Sequence, residues 1–185
     1  MIDDFPAVLR GAQHGDTEAF GLLWRAFNHR LVRYLRLQIG DRADDIASET
    51  WIHIARRIDA FSGNEAQFRG WLFTTARRRL IDAHRRNARR AETPVAAGTL
   101  EAAPAVDSNP EQAAMSAHGT EWALAALGQL PDDQREVIAL RVLGGLAVAE
   151  VARTLELSPG NVRVLQHRGL RRLRILLDGG DLDNV

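Results

Sequence analysis

The sequence contains neither cysteine nor lysine. Without cysteine there is no disulfide framework, no thiolate zinc site and no cysteine nucleophile. Without lysine there is no P-loop lysine, no Schiff-base lysine and no lysine general base. All 24 cations are arginine, a bias that a GC-rich genome also produces. No apolar run approaches the roughly eighteen residues of a membrane-spanning helix. The opening MIDDFPAVLR is acidic and then mixed, unlike a signal peptide. These absences are compatible with a reducing cytoplasm, and a cytoplasmic location is expected. There is no HExxH, GxSxG or GxGxxG. The six histidines, at 14, 29, 53, 84, 118 and 167, are scattered. No metal, cofactor or catalytic residue is assigned, and no enzyme activity is expected. No alternating segment is long enough for a strand pair, which predicts an all-α fold.

The chain has 185 residues, 45% of them hydrophobic and 26% charged. That suits one medium domain or two small ones. The net charge is zero, but opposing blocks assemble it. Residues 66–90 carry 8 arginines and 1 acid, a net +7. Residues 91–121 carry 5 acids and no arginine, a net −5, and residues 153–177 total +5. Two basic islands separated by an acidic bridge point to two polyanion contacts on one chain.

Three amphipathic runs fill the first half. Phe20, Leu23, Trp24, Phe27, Leu31, Tyr34 and Leu35 recur at helical spacing, and Asp16 and Thr17 can cap that run. A second stripe has Ile46, Thr50, Trp51, Ile54, Ala55 and Ile58, with Asp41, Asp44 and Asp45 where a helix dipole favours negative charge. Turn residues follow at Phe61-Ser62-Gly63-Asn64. The third stripe has Phe68, Trp71, Leu72, Thr75, Ala76, Leu80 and Ile81. From 91 to 109 the pattern stops in an Ala- and Pro-containing acidic stretch that reads as a linker. Pro110 suits the first turn of a new helix.

The last third is helical again. Gly144-Gly145 ends one helix, and Val148, Val151, Ala152 and Leu155 form the inner face of a short one. After Glu156-Leu157-Ser158, the pair Ser158-Pro159 starts a final helix expected over 159–177. A short helix, a tight turn and an Arg-rich helix make a helix-turn-helix pattern. Asn161, Arg163, Gln166 and His167 lie near its start, and Arg168, Arg171, Arg172 and Arg174 follow. Arg pairs with guanine edges and Asn or Gln with adenine in a major groove that admits one helix. Val162, Leu165, Leu170 and Leu173 are expected mostly on the packing side. In the first basic island, FRGWLFTTARRRLIDAHRRNARR, arginine offers phosphate attraction and aromatic faces offer base stacking. Phe68 and Trp71 are in phase with the apolar stripe there, which suits core positions. Asp45 and Glu49 share a helix face, but no nucleophile or pocket motif accompanies them.

These motifs occur in a telling order. DDIASETWIHIARRIDAF and FRGWLFTTARRRLIDAHRR precede the acidic linker, and ALGQLPDDQREVIALRVLGGLAVAEVARTLELSPGNVRVLQHRGLRRLR follows it. Together they resemble an extracytoplasmic-function (ECF) sigma factor of the two-domain type, over nearly the whole chain. The resemblance implies a region 2-like domain over 1–90, a flexible acidic linker over 91–109, a region 4-like domain over 110–178 and an acidic tail over 179–185. It implies docking on the clamp of core RNA polymerase through the helix at 43–59, with Asp44, Asp45, Glu49, Thr50 and Trp51. It implies recognition and melting of a −10 element by the loop at 61–67 and the helix at 68–86. The residues concerned are Ser62, Asn64, Arg69, Trp71, Arg77, Arg78, Arg79, Arg85 and Arg86. Duplex −35 DNA is then read by Ser158, Asn161, Arg163, Gln166, His167, Arg168 and Arg171, while the first helices of that domain meet the polymerase flap.

Many such factors are held inactive by an anti-sigma factor, so a partner of that kind is implied. The short tail argues against an appended sensory domain. Ser48, Arg78, Val164 and Leu165 depart from residues frequent in the family, which bears on the promoter sequence rather than the role. Two other readings stand beside this one. A stand-alone helix-turn-helix regulator would not need an acidic docking helix directly before an Arg–aromatic helix. A protein-interaction module would lack salt-sensitive DNA binding.

Overall fold

A computed structural model describes residues 2–91 and 123–177. The linker at 91–109 beyond its first residue, Pro110, Trp122 and the acidic tail lie outside the described residues. Within them, every regular element is helical. Helix α1 spans Phe5–Gln13, α2 Thr17–Ile39, α3 Ala43–Ala55 and α4 Glu65–Ala91. Helix α5 is described over 123–128. Then come α6 (Asp132–Val142), α7 (Val148–Leu155) and α8 (Pro159–Leu177).

Local chemistry sets several of these boundaries. The Asp16 carboxylate accepts from the Glu18 and Ala19 N–H groups at 2.8 and 3.2 Å, starting α2 as expected. Helix α4 begins before the expected residue 68. Asn64 and Gln67 cap it reciprocally: the Gln67 N–H donates to Asn64 Oδ1 at 2.9 Å, and the Asn64 N–H donates to Gln67 Oε1 at 2.8 Å. The expected loop at 61–67 therefore shrinks to residues 61–64. The second helix is also shorter than the expected 43–59. It ends at Ala55, and a 3-10 turn covers Ile58–Ala60. Gln13 of α1 donates to the carbonyls of Ile58 and Phe61 at 3.0 and 2.7 Å, pinning that connection to the first helix.

The N-terminal core is aromatic. Phe68 is fully buried. Its ring centroid lies 5.7 Å from Phe5, 5.6 Å from Phe27, 5.6 Å from Phe61 and 5.8 Å from Trp71. Tyr34 and Phe73 meet edge to face at 5.5 Å, a geometry the ring quadrupoles favour. Leu23, Leu31, Ile46, Ile54 and Leu72 close the remaining space.

The described C-terminal core is aliphatic, built on Val137, Leu140, Leu146, Val151 and Val162. Gly169 lets α8 lie directly on α6: a Cβ there would sit 2.5 Å from Ile138 Cδ1. Glu156 takes the left-handed conformation (φ 58°) that ends α7, and Ser158 Oγ accepts from the Asn161 N–H at 3.1 Å to start α8. Val162 is buried and Leu165 partly so, but Leu170 is 46% exposed, contrary to its expected inward placement. With Gly169 as the contact point, its neighbour Leu170 turns away from α6.

The two halves touch. One buried cluster runs from the N-terminal helices into α6, α7 and α8, and Leu37 of α2 packs against Leu127, Leu130 and Ile138. No described helix is long and apolar enough to cross a membrane.

Candidate nucleic-acid and polymerase interfaces

Helix α3 separates its five expected docking residues into two groups. Asp44 and Asp45 are exposed and Glu49 is partly so. Thr50 and Trp51 are buried, Thr50 completely. The Thr50 hydroxyl donates to the Ile46 carbonyl one turn back at 2.6 Å. Trp51 Nε1 donates to Asn28 Oδ1 at 3.0 Å, and its ring meets Phe20 edge-on at 5.8 Å. Both side chains are turned into the core, Trp51 against α2, and lie off the exposed edge of the helix. The exposed edge instead adds Ile52, which is 53% exposed and was not among the expected residues.

The arginines of α4 are mostly engaged already. Arg69 pairs with Glu65 at 3.9 Å, Arg77 with Glu136 at 2.7 Å and Arg86 with Glu49 at 3.8 Å. Arg79 donates to His53 Nδ1 at 3.0 Å, so that nitrogen carries no proton. Partial burial, then the charges of Arg57, Arg79, Arg56 and Arg78, hold His53 below the ordinary histidine range. Arg78 and Arg85 are exposed. Trp71 is partly buried and stacks on Phe61 at 5.1 Å with the rings nearly parallel. Ser62 is exposed, whereas the Asn64 side chain is committed to its cap.

None of the partners Glu136, His53 and Asn28 was singled out. The first two lie 59 and 26 residues from the arginines they hold, and no local spacing reports such a contact. Tyr34, wholly buried, lies against Glu136 without an aligned hydrogen bond. Burial and then the Glu136 carboxylate push its phenol well above the usual tyrosine range.

Helix α8 presents a different surface. Asn161, Arg163, His167, Arg168 and Arg171 are all exposed. The Gln166 side chain is partly buried and accepts from Arg141 Nε at 3.1 Å. Arg141 also donates to the Leu146 carbonyl, so it ties α8 to the turn before α7. Ser158 spends its hydroxyl on the cap. What remains outward is a row of guanidinium, imidazole and carboxamide groups on a rigid helix, set against α6 and α7. Such a row has the charge and hydrogen-bonding groups that suit a polyanion. Among the described residues no cluster of acids and histidines could hold a metal ion.

Two family models match, in this order: Sigma-70 region 2 over residues 23–90 and Sigma-70, region 4, over residues 120–173. The chain is 34% identical to the ECF RNA polymerase sigma factor BldN of Streptomyces coelicolor over 92% of its own length and 64% of that relative's. It is 31% identical to the ECF RNA polymerase sigma factor ShbA of Streptomyces griseus, covering 96% of this chain and all of that one. Among solved structures, the sigma factor RpoE from Bartonella quintana, in complex with the anti-sigma factor NepR, shares the fold. It has a TM-score of 0.64 and 22% identity, covering 91% of this chain and 100% of that one. An exposed arginine helix in the second matched region and an acidic helix in the first fit one class of protein, the sigma-70 type of transcription factor. Within that class the chain belongs to the ECF RNA polymerase sigma factors, and its function is promoter-directed transcription.

Proposed function

We propose that the chain binds core RNA polymerase through the exposed edge of α3, opens the −10 element with the 61–64 loop and α4, and reads the −35 duplex with α8. The domain division at 1–90, 91–109 and 110–178 follows from the same reading. Asp44, Asp45, Glu49 and Ile52 offer the polymerase clamp a mixed acidic and apolar contact. Ser62, Trp71, Arg78 and Arg85, with Arg69, Arg77, Arg79 and Arg86 once released from their internal partners, contact the single strand. Unstacking costs a few kcal/mol, which base capture and phosphate pairing offset. Arg163, His167, Arg168, Arg171 and Asn161 contact the duplex, and the first helices of that half meet the flap. An anti-sigma factor is the expected inhibitor, as the RpoE pairing suggests by analogy. The chain acts by binding rather than catalysis, in the cytoplasm.

The observation that carries this reading is the open face of α8, where four cationic or ionisable side chains project with no internal partner among the described residues. The test is gel filtration with core RNA polymerase, followed by transcription from a promoter library. Co-elution and discrete start sites are expected. Asp45→Ala with Glu49→Ala should weaken co-elution and leave isolated duplex binding intact. No co-elution would move the protein to the stand-alone regulators.

A further inference from the structure

We propose that Val164 reads the 5-methyl group of a thymine in the −35 duplex, so that one position of that element is recognised by apolar contact instead of hydrogen bonding. This inference rests on the assignment of α8 to the −35 duplex.

The fold does not account for Val164. It is 47% exposed, whereas Val162, two residues earlier, is wholly buried. The packed side of α8 is set by Val162, Leu165, Gly169 and Leu173. At about 100° per residue, Leu173 stands about 180° round the helix from Val164. The valine is therefore centred on the face that points away from the packed layer.

Its neighbours on that face are polar or small. Gly160 and Asn161 lie one turn before it, His167 and Arg168 one turn after, and Arg171 a turn further on. Asn161, His167, Arg168 and Arg171 are all exposed. Val164 sets an isopropyl group inside a ring of hydrogen-bonding side chains. Gly160 is a second observation. A Cβ there would have ordinary clearance, 3.7 Å from Ser158 Oγ, so packing does not demand a glycine. Its backbone is helical, so conformation does not demand one either. A bare Cα one turn before Val164 clears the outward face for close approach by another molecule.

The chemistry then selects the base. An isopropyl group neither donates nor accepts a hydrogen bond. In the major groove guanine, adenine and cytosine present hydrogen-bonding groups, and thymine alone adds a methyl group. A cytosine amino group or a guanine carbonyl set against Val164 would lose water and gain no partner. A thymine methyl in the same place is buried favourably. Asn161, His167 and Arg168 are left to the flanking bases and phosphates.

Uracil differs from thymine by that methyl group alone, which makes the test direct. The full chain is assembled with core RNA polymerase, and the −35 element is that of the strongest promoter from the library. Each thymine of the element, on either strand, is replaced by uracil in turn, and holoenzyme affinity is measured by competition. One position is expected to lose about threefold to fivefold, the value of one buried methyl group. Val164→Ala, whose side chain stops short of the base, should bind the thymine and uracil promoters equally. Alanine is at least as good a helix former as valine, so the variant keeps its fold.

An element with no A·T pair would overturn the proposal. So would a set of uracil promoters that all bind as tightly as the original, or a thymine that stays equally sensitive in Val164→Ala. Arg168→Ala on the same promoter then separates the two ideas. If it weakens binding to that promoter but not to one with a scrambled −35 element, α8 reads the −35 duplex and only the methyl contact has failed. If it does not, the assignment of α8 has failed as well.

Discussion

Two helices of this chain carry runs of arginine, and they hold them in opposite ways. On α4, Arg69, Arg77, Arg79 and Arg86 are each engaged by a side chain of the same protein. On α8, Arg163, Arg168 and Arg171 point to solvent with no such partner among the described residues. Arg172 of α8 does donate to Gln134 of α6 at 3.2 Å, so the contrast concerns the outward face of α8, where arginine is not tied to the fold, against α4, where it mostly is. Arginine count by itself does not distinguish a ready surface from an occupied one. Their supports differ too. Helix α4 is anchored by an aromatic cluster, whereas α8 lies on an aliphatic layer and touches α6 through a glycine.

The contrast can be broken at its strongest point first. Phe68→Ala removes the ring that meets four others and should destabilise the N-terminal half by about 3–5 kcal/mol. Denaturant unfolding followed by tryptophan fluorescence measures this, and a loss near zero would mean that the aromatic cluster does not anchor α4. Arg77→Ala leaves the half-buried Glu136 without its partner and should cost about 1–3 kcal/mol of stability in the same assay. Arg168→Ala should behave oppositely. Its effect on stability should stay within about 0.5 kcal/mol, while affinity for promoter duplex falls by about 1–3 kcal/mol if it pairs with a base. Equal stability losses for Arg77→Ala and Arg168→Ala would erase the distinction between the helices.

The smallest expected effect is a pH dependence. His53 titrates below the ordinary histidine range in the folded protein. As the pH falls below about 6.5, the unfolded chain takes up this proton more readily than the folded one. Stability should therefore decline on acidification between the unfolded value and the lowered folded one. Replacing His53→Gln should flatten that part of the profile, and an unchanged profile would show that His53 does not set it.

Much of this architecture was legible in local chemistry. Asp16 and Ser158 each mark a helix start because a cap acts within three residues, and both act as expected. The stripe containing Ile46, Thr50, Trp51 and Ile54 also announced its own burial. The family resemblance placed Thr50 and Trp51 in a docking face instead, and here periodicity was the better guide to exposure. A resemblance transfers a stretch of chain, while the 3.6-residue period decides which side chains point outward.

The reciprocal cap of Asn64 and Gln67 is equally local, and it starts α4 ahead of the residue 68 that the aromatic stripe suggests. Other features were beyond any window. The pairing of Arg77 with Glu136 depends on how two halves of the chain meet. Leu170 stands about a quarter-turn from the stripe of Val162, Leu165, Gly169 and Leu173, and it faces solvent.

Helix α4 also has a mechanical meaning. At 1.5 Å per residue, its 27 residues form a rod about 40 Å long. The core grips it along most of that length, through Phe68, Leu72, Phe73, Ala76, Leu80 and Ala83, while Arg78 and Arg85 ride on the outer side. A rod clamped along its length cannot tilt at one point without the others following. A push on any outward arginine is therefore borne by the whole N-terminal core rather than absorbed at a local hinge.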